Sequence, residues 1–282
     1  MNPWRSNVLS RIAALDPEKD HWEIVRLSSF YDFPWDYARA LELALFKTFA
    51  SPAISGILHK SGKFEHSTQR RYDDTDIILN YIIEFGLNDP RGRSALERMN
   101  FVHSHFPIQN DDYLYVLSTF IFEPRKWVER FGRRQLHPHE LRAGFLVWRE
   151  IGIAMGIHSI PSNAEELEAW SIQYEKERFK PALSNTTVSQ ATLTLMLGWF
   201  FPRMTHRKLQ PFVLSLFDDD FVRTLGFPLP SRWARGFTIT LMGMRKMTLR
   251  LMPARRTPHH RSKRKLKSYP SGYTQHSSTS AP

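Results

Sequence analysis

Residues 91–124 read RGRSALERMNFVHSHFPIQNDDYLYVLSTFIFEP. At 3.6 residues per turn, Leu96, Met99, Asn100 and His103 fall on one face by the i, i+3, i+4, i+7 rule, which predicts a helix carrying His103. His105 lies about 200° further round, at roughly 100° per residue, so only one of the two histidines points inward. Pro107 ends this helix, and a polar turn over 109–112 offers Asp111 and Asp112 as caps for an apolar helix beginning near Tyr113. Two readings of His103 stand: a core histidine bonded to a backbone carbonyl, or an axial metal or haem ligand on a rigid helix beside an apolar face.

The flanking segments carry the same period. Residues 35–49, WDYARALELALFKTF, repeat Tyr37, Leu41, Ala44, Leu45 and Thr48 at helical spacing behind Pro34. Residues 71–84, RYDDTDIILNYIIE, stack Arg71 and Thr75 at i, i+4 and present Ile78, Leu79, Ile82 and Ile83. Further helices are expected over 140–155, from Ser162 (with Glu165 at capping-box spacing), over 185–201, and around 211–217. Residues 125–136 read as a connection after Pro124. No stretch alternates as strands do, and no repeat of 20–50 residues is visible. The expected fold is therefore all-α: one helical domain of seven to ten helices over 25–235, preceded by an extension over 1–24. A basic amphipathic helix over 236–252 and a disordered basic tail over 253–282, rich in Pro, Ser and charge, follow.

The chain has 282 residues, enough for a substantial core, and no cysteine. Disulfides, thiolate nucleophiles, iron–sulfur clusters and thiolate-ligated haem are thereby excluded. Its net charge of +11 is a property of one end: residues 221–282 hold thirteen Lys and Arg and no acid, leaving 1–220 at −2. A nearly neutral body argues against nucleic acid as the partner. The basic end points either to an anionic membrane, contacted through 232–267, or to simple solubilisation. On the 232–252 helix, Phe237, Leu241, Met244 and Leu251 stand against Arg245, Lys246 and Arg250. That pattern suits a membrane interface, or equally a terminal helix packed on its own domain with a wet basic face. The N-terminus has no uninterrupted apolar run. The longest such run, 192–201, falls short of the roughly 20 residues needed to span a bilayer, so neither a signal peptide nor a membrane span is expected.

Paired Glu-x-x-His motifs, HExxH, GxSxG, a P-loop and GxGxxG are all absent. His137-Pro138-His139-Glu140 reads as a helix-start cluster rather than a metal site, and Asp218-Asp219-Asp220 as a solvated helix end.

Taken together, several motifs resemble the rubber oxygenase family, which includes latex-clearing protein and the fungal oxygenase that shortens the isoprenoid side chain of mycophenolic acid. They are Arg71-Tyr72-Asp73-Asp74-Thr75, Arg98-Met99-Asn100-x-x-His103 and Ile108-x-Asn110-Asp111-Asp112-x-Leu114-Tyr115, then Phe131-Gly132-x-Arg134-x-Leu136, Trp148-Arg149-Glu150-Ile151-Gly152 and Met155-Gly156-Ile157. Ile160-Pro161, Trp170, Tyr174-Glu175 and Asn185 extend the likeness over roughly 25–235. The resemblance implies a globin-like helical domain holding haem b, with His103 as the iron ligand. Arg98 would support that histidine or a haem propionate, and Asn110 lies on the same cofactor side. Arg71 and Thr75 would line the oxygen-binding side, where rubber-cleaving members carry a lysine just before the threonine. Here that position is Asp74, which cannot act as a lysine does.

The function expected from this resemblance is a haem-dependent oxygenase using dioxygen on an alkene of a hydrophobic, terpenoid or lipid-like substrate. It would be cytoplasmic or peripheral on an intracellular membrane. Two alternatives remain: a non-catalytic haem- or lipid-binding protein of the same fold, and a membrane-associated interaction protein.

Overall fold

The computed structural model describes residues 6–62, 67–263 and 266–269. Among them are thirteen α-helices and no strand beyond one isolated bridge. They are α1 (Ser6–Ala14), α2 (His21–Leu27), α3 (Pro34–Thr48), α4 (Pro52–Lys60), α5 (Thr68–Phe85), α6 (Pro90–His103), α7 (Asn110–Phe131), α8 (Pro138–Ala154), α9 (Ala164–Arg178), α10 (Leu183–Gly198), α11 (His206–Leu214), α12 (Asp219–Thr224) and α13 (Arg232–Leu251). The all-α class is as expected. Ten of the thirteen, α3 to α12, lie wholly within 25–235, in keeping with the seven to ten expected there.

α3 and α7 pack most extensively and form the axis of the body; α5 pairs with α6, α2 with α8, and α4 with α10. The main core joins Ile12, Ile24, Ile82, Leu117, Phe145, Ile151 and Leu167. The first residues are therefore not merely an appendage: α1 contributes Val8 and Ile12 to this core. A second cluster, Phe46, Val188, Leu193, Leu214 and Leu225, ties the C-terminal helices to the end of α3. Fully buried Asn185 is its polar pin, donating to the carbonyls of Lys180 (2.9 Å) and Thr224 (3.2 Å) and accepting from Ser55 at 2.7 Å.

Three local expectations are corrected. α7 does not end at Pro124 but runs to Phe131, because buried Trp127, Val128 and Phe131 reward the extra two turns beyond the one hydrogen bond that proline forfeits. α9 is capped by Asn163, whose side chain accepts from Glu166 N at 2.8 Å, rather than by Ser162. The tail is not disordered throughout: Arg261–Lys263 form a 3-10 turn, and Leu266 and Tyr269 are buried against Ile77 and Tyr81 of α5. Residues 264–265 and 270–282 of that expectation lie outside the described residues. The His137 cluster forms a capping box, with Glu140 accepting from His137 N at 2.7 Å.

Candidate functional site

The helices enclose a largely apolar cavity of about 420 Å³. α5, α6 and α7 supply three walls, and α3, α4, α8 and α10 complete them with Leu45, Ile57, Trp148, Ile151, Leu195 and Met196. Five of the six predicted site residues, Arg71, Asp74, Thr75, Arg98 and His103, line this one space. α5 brings the first three together on one turn, and α6 brings Arg98 and His103.

His103 is the last residue of α6, its ring edge-on to Tyr113 at 5.6 Å. His105 points away, its Nδ1 2.7 Å from the Phe101 carbonyl at the surface. The His103 Nδ1 is buried and has no hydrogen-bond partner among the described residues. Burial, and then the positive charge of Arg71, depress its pKa to about 4, so the imidazole is neutral at physiological pH. The simple reading of a core histidine bonded to a backbone carbonyl does not describe it.

Arg71 is itself desolvated, which lowers its pKa, with Asp74 partly compensating. No ion pair or side-chain hydrogen bond joins its guanidinium to any described residue. The Thr75 hydroxyl donates to the Arg71 carbonyl at 3.0 Å, leaving its lone pairs to the cavity. Arg98 sits over the Phe101 ring at 5.6 Å. Asn110 is the exception. Its amide exchanges hydrogen bonds with the backbone of His158 (3.1 and 2.8 Å), fixing the start of α7 to the loop after α8, and it does not line the cavity. One amide N–H and one carbonyl lone pair are thereby spent on the backbone of His158.

Sequence reasoning missed Glu42. It is buried and accepts from Arg39 Nη2 at 2.6 Å and from the Tyr72 hydroxyl, while its Oε2 has no partner. Burial raises its pKa, against the pull of Arg39. Glu42, Tyr72 and Thr75 line both the large cavity and a smaller one of about 80 Å³. The signal was available: a single acid within the apolar run ALELALF of α3.

No single helix among the described residues is long and apolar enough to cross a membrane. α13 docks with its amphipathicity inverted. Arg245 reaches Asp36 at 2.8 Å and stacks on Trp35 at 3.9 Å, and Lys246 bonds the carbonyls of Glu129 and Arg130, so the basic side faces the body. Trp233 and Leu251 are 69% and 83% exposed, and Phe237, Leu241 and Met244 are exposed with them. The helix thus packs on its own domain, with Arg245 committed to Asp36 while Arg250 stays exposed.

The chain is 30% identical over 241 residues to ER-bound oxygenase mpaB' of Penicillium brevicompactum, an alignment covering 78% of this chain and 56% of that protein. It is 28% identical over 221 residues to ER-bound oxygenase mpaB of Penicillium roqueforti, covering 72% of this chain and 74% of that one. ER-bound oxygenase mpaB of P. brevicompactum is 31% identical over 184 residues, 58% of this chain and 47% of the relative. The chain thus spans about half to three quarters of the length of these relatives. Residues 38–247 match the catalytic domain described as that of ER-bound oxygenase mpaB/B' and rubber oxygenase. With α5, α6, α7 and the cavity they line inside that match, the chain belongs to the mpaB/B' and rubber oxygenase family.

Proposed function

We propose that the protein is a haem-dependent oxygenase acting with dioxygen on an alkene in a hydrophobic, terpenoid or lipid-like molecule. The observation that carries this reading is His103: a neutral imidazole at the end of a rigid helix, with no hydrogen bond to a described residue, opening on an apolar cavity of ligand size. These residues suit haem b: His103 would be the iron ligand, the apolar lining would hold the macrocycle, and Arg98 would serve a propionate. Haem iron, when bound, supplies the redox chemistry on dioxygen. The chain's own residues do the rest. The apolar walls bind the alkene and exclude water. Arg71, charged and without an ion-pair partner among the described residues, stabilises negative charge that develops on oxygen. Thr75 orients a donor on the same wall. Visible absorption spectra of the protein and of His103→Ala, both expressed with haem precursor, test the reading. A haem band in the parent that is lost or shifted in the variant is the expected result, and a folded parent that binds no haem overturns it.

Asp74, standing where rubber-cleaving members have lysine, favours a second reading: a haem- or lipid-binding protein without catalysis. Retained haem with no oxygen consumption across a terpenoid panel would select it. The relatives are named ER-bound, and the exposed apolar face of α13 supports peripheral attachment of this chain to an intracellular membrane. Within the expected contact over 232–267, Arg261 is committed to Asp76 at 2.8 Å.

A further inference from the structure

The segment ending at Tyr269 lies beyond the matched domain, yet it is strapped along the outer side of α5, the helix that carries Arg71 and Thr75. Arg261 pairs with Asp76, His260 lies 3.0 Å from a Glu84 oxygen, and Ser268 N donates to Asp73 Oδ2 at 3.0 Å. Leu266 and Tyr269 bury their side chains against Ile77 and Tyr81, and the Arg70 guanidinium stands 5.9 Å above the Tyr269 ring. The Tyr269 hydroxyl donates to the Asp74 carboxylate.

That last bond matters for the cavity. Residues three apart on a helix are neighbours, so Asp74 is the natural intrahelical partner of Arg71. Its charge is the one that acts on Arg71, yet the two form no ion pair. The carboxylate is held by Tyr269 instead. Burial, and then the bond to Asp74, push the Tyr269 phenol up to about 12, so it keeps its proton and stays a donor. We propose that Tyr269 is a positioning residue for Arg71: by holding Asp74 it leaves the Arg71 guanidinium free to meet the anionic end of an apolar ligand in the cavity. The inference rests on reading the 420 Å³ space as a ligand site, but not on haem.

The test uses the full-length, haem-free protein and two fluorescent probes of similar shape, anionic 1-anilinonaphthalene-8-sulfonate and neutral N-phenyl-1-naphthylamine. Tyr269→Phe is expected to weaken the anionic probe roughly tenfold, the loss of one charge-assisted contact, with the neutral probe unchanged. Adding Asp74→Asn to Tyr269→Phe is expected to restore it, and Arg71→Met to abolish the preference for the anion. If Tyr269→Phe weakens both probes equally, or neither, or if Arg71→Met leaves the preference intact, the proposal is wrong. Because no step requires haem, failure here is distinguishable from failure of the oxygenase reading, which the absorption spectra decide.

Discussion

His103 shows how a single side chain acquires its chemistry from its surroundings. In the unfolded chain its pKa is the ordinary 6.5, whereas in the fold burial and Arg71 hold it near 4. Between those values the unfolded state binds a proton that the folded state refuses. Stability of the haem-free protein is therefore undiminished above pH 6.5 and falls as the pH is lowered toward 4, by up to about 3 kcal/mol. Urea unfolding at a series of pH values should show this slope, and His103→Ala should flatten it. Arg71→Met should reduce it in part, since burial is the larger cause. An unchanged slope in His103→Ala would mean that other groups govern acid stability. The inward side of α6 was legible in sequence because Leu96, Met99 and His103 share a helical face. The neutrality of His103 was not, because Arg71 is brought alongside only when α5 packs on α6.

That packing rests on a glycine. A Cβ on Gly92, in the first turn of α6, would lie 1.9 Å from the Gly86 carbonyl oxygen, a backbone atom at the end of α5 that cannot swing aside. Gly86 is itself held in the left-handed region, φ +75°, where a side chain would add strain. Gly92→Ala should consequently push the two site-bearing helices apart, costing about 3 kcal/mol and lowering haem retention together with stability. Gly144 is the control: it lies within α8, and a Cβ added there would meet nothing within 4 Å, so Gly144→Ala should stabilise by about 0.5–1 kcal/mol. Denaturant midpoints for the two variants decide the matter, and equal effects would refute the close-approach argument. Element identity was readable wherever apolar residues recurred over three turns, as in α3, α5 and α8. It failed at Pro124, where a local rule was overridden by three buried residues further on. It also failed at 261–263 and 266–269, where Arg261, Ser262, Ser268 and Tyr269 look solvated in sequence but meet Asp76, Glu84, Asp73 and Asp74 in space.

For the molecule as a whole, the same tertiary choice that buries Arg245 on Asp36 turns an apolar surface outward. Trp233, Phe237, Leu241, Met244, Met247 and Leu251 on α13 are all exposed, and Phe212 of α11 packs edge-on against Trp233 and Phe237, making their aromatic surface continuous. Phe200, Phe201 and Met204 (86% exposed) follow directly after α10, whose Leu195 and Met196 wall the cavity one turn earlier. An apolar substrate dissolved in a bilayer would thus meet exposed rings about one helical turn, roughly 5 Å, from the cavity wall. Arg203, Arg207 and Arg250, on the same segments, are exposed as well and add positive charge. Flotation of the full-length protein with vesicles containing phosphatidylserine should recover it with the lipid, whereas Trp233→Ser, Phe237→Ser and Leu251→Ser combined should weaken recovery by an order of magnitude or more. Because Trp233 and Phe237 also pack on Phe212, the variant's melting temperature is measured beside its recovery, so that lost binding is told apart from lost folding. Binding by contact of apolar groups should also outlast high salt, which would release a purely electrostatic contact. Equal recovery of parent and variant would show that this face does not meet the membrane. Recovery lost for both in high salt would assign attachment to the basic residues alone.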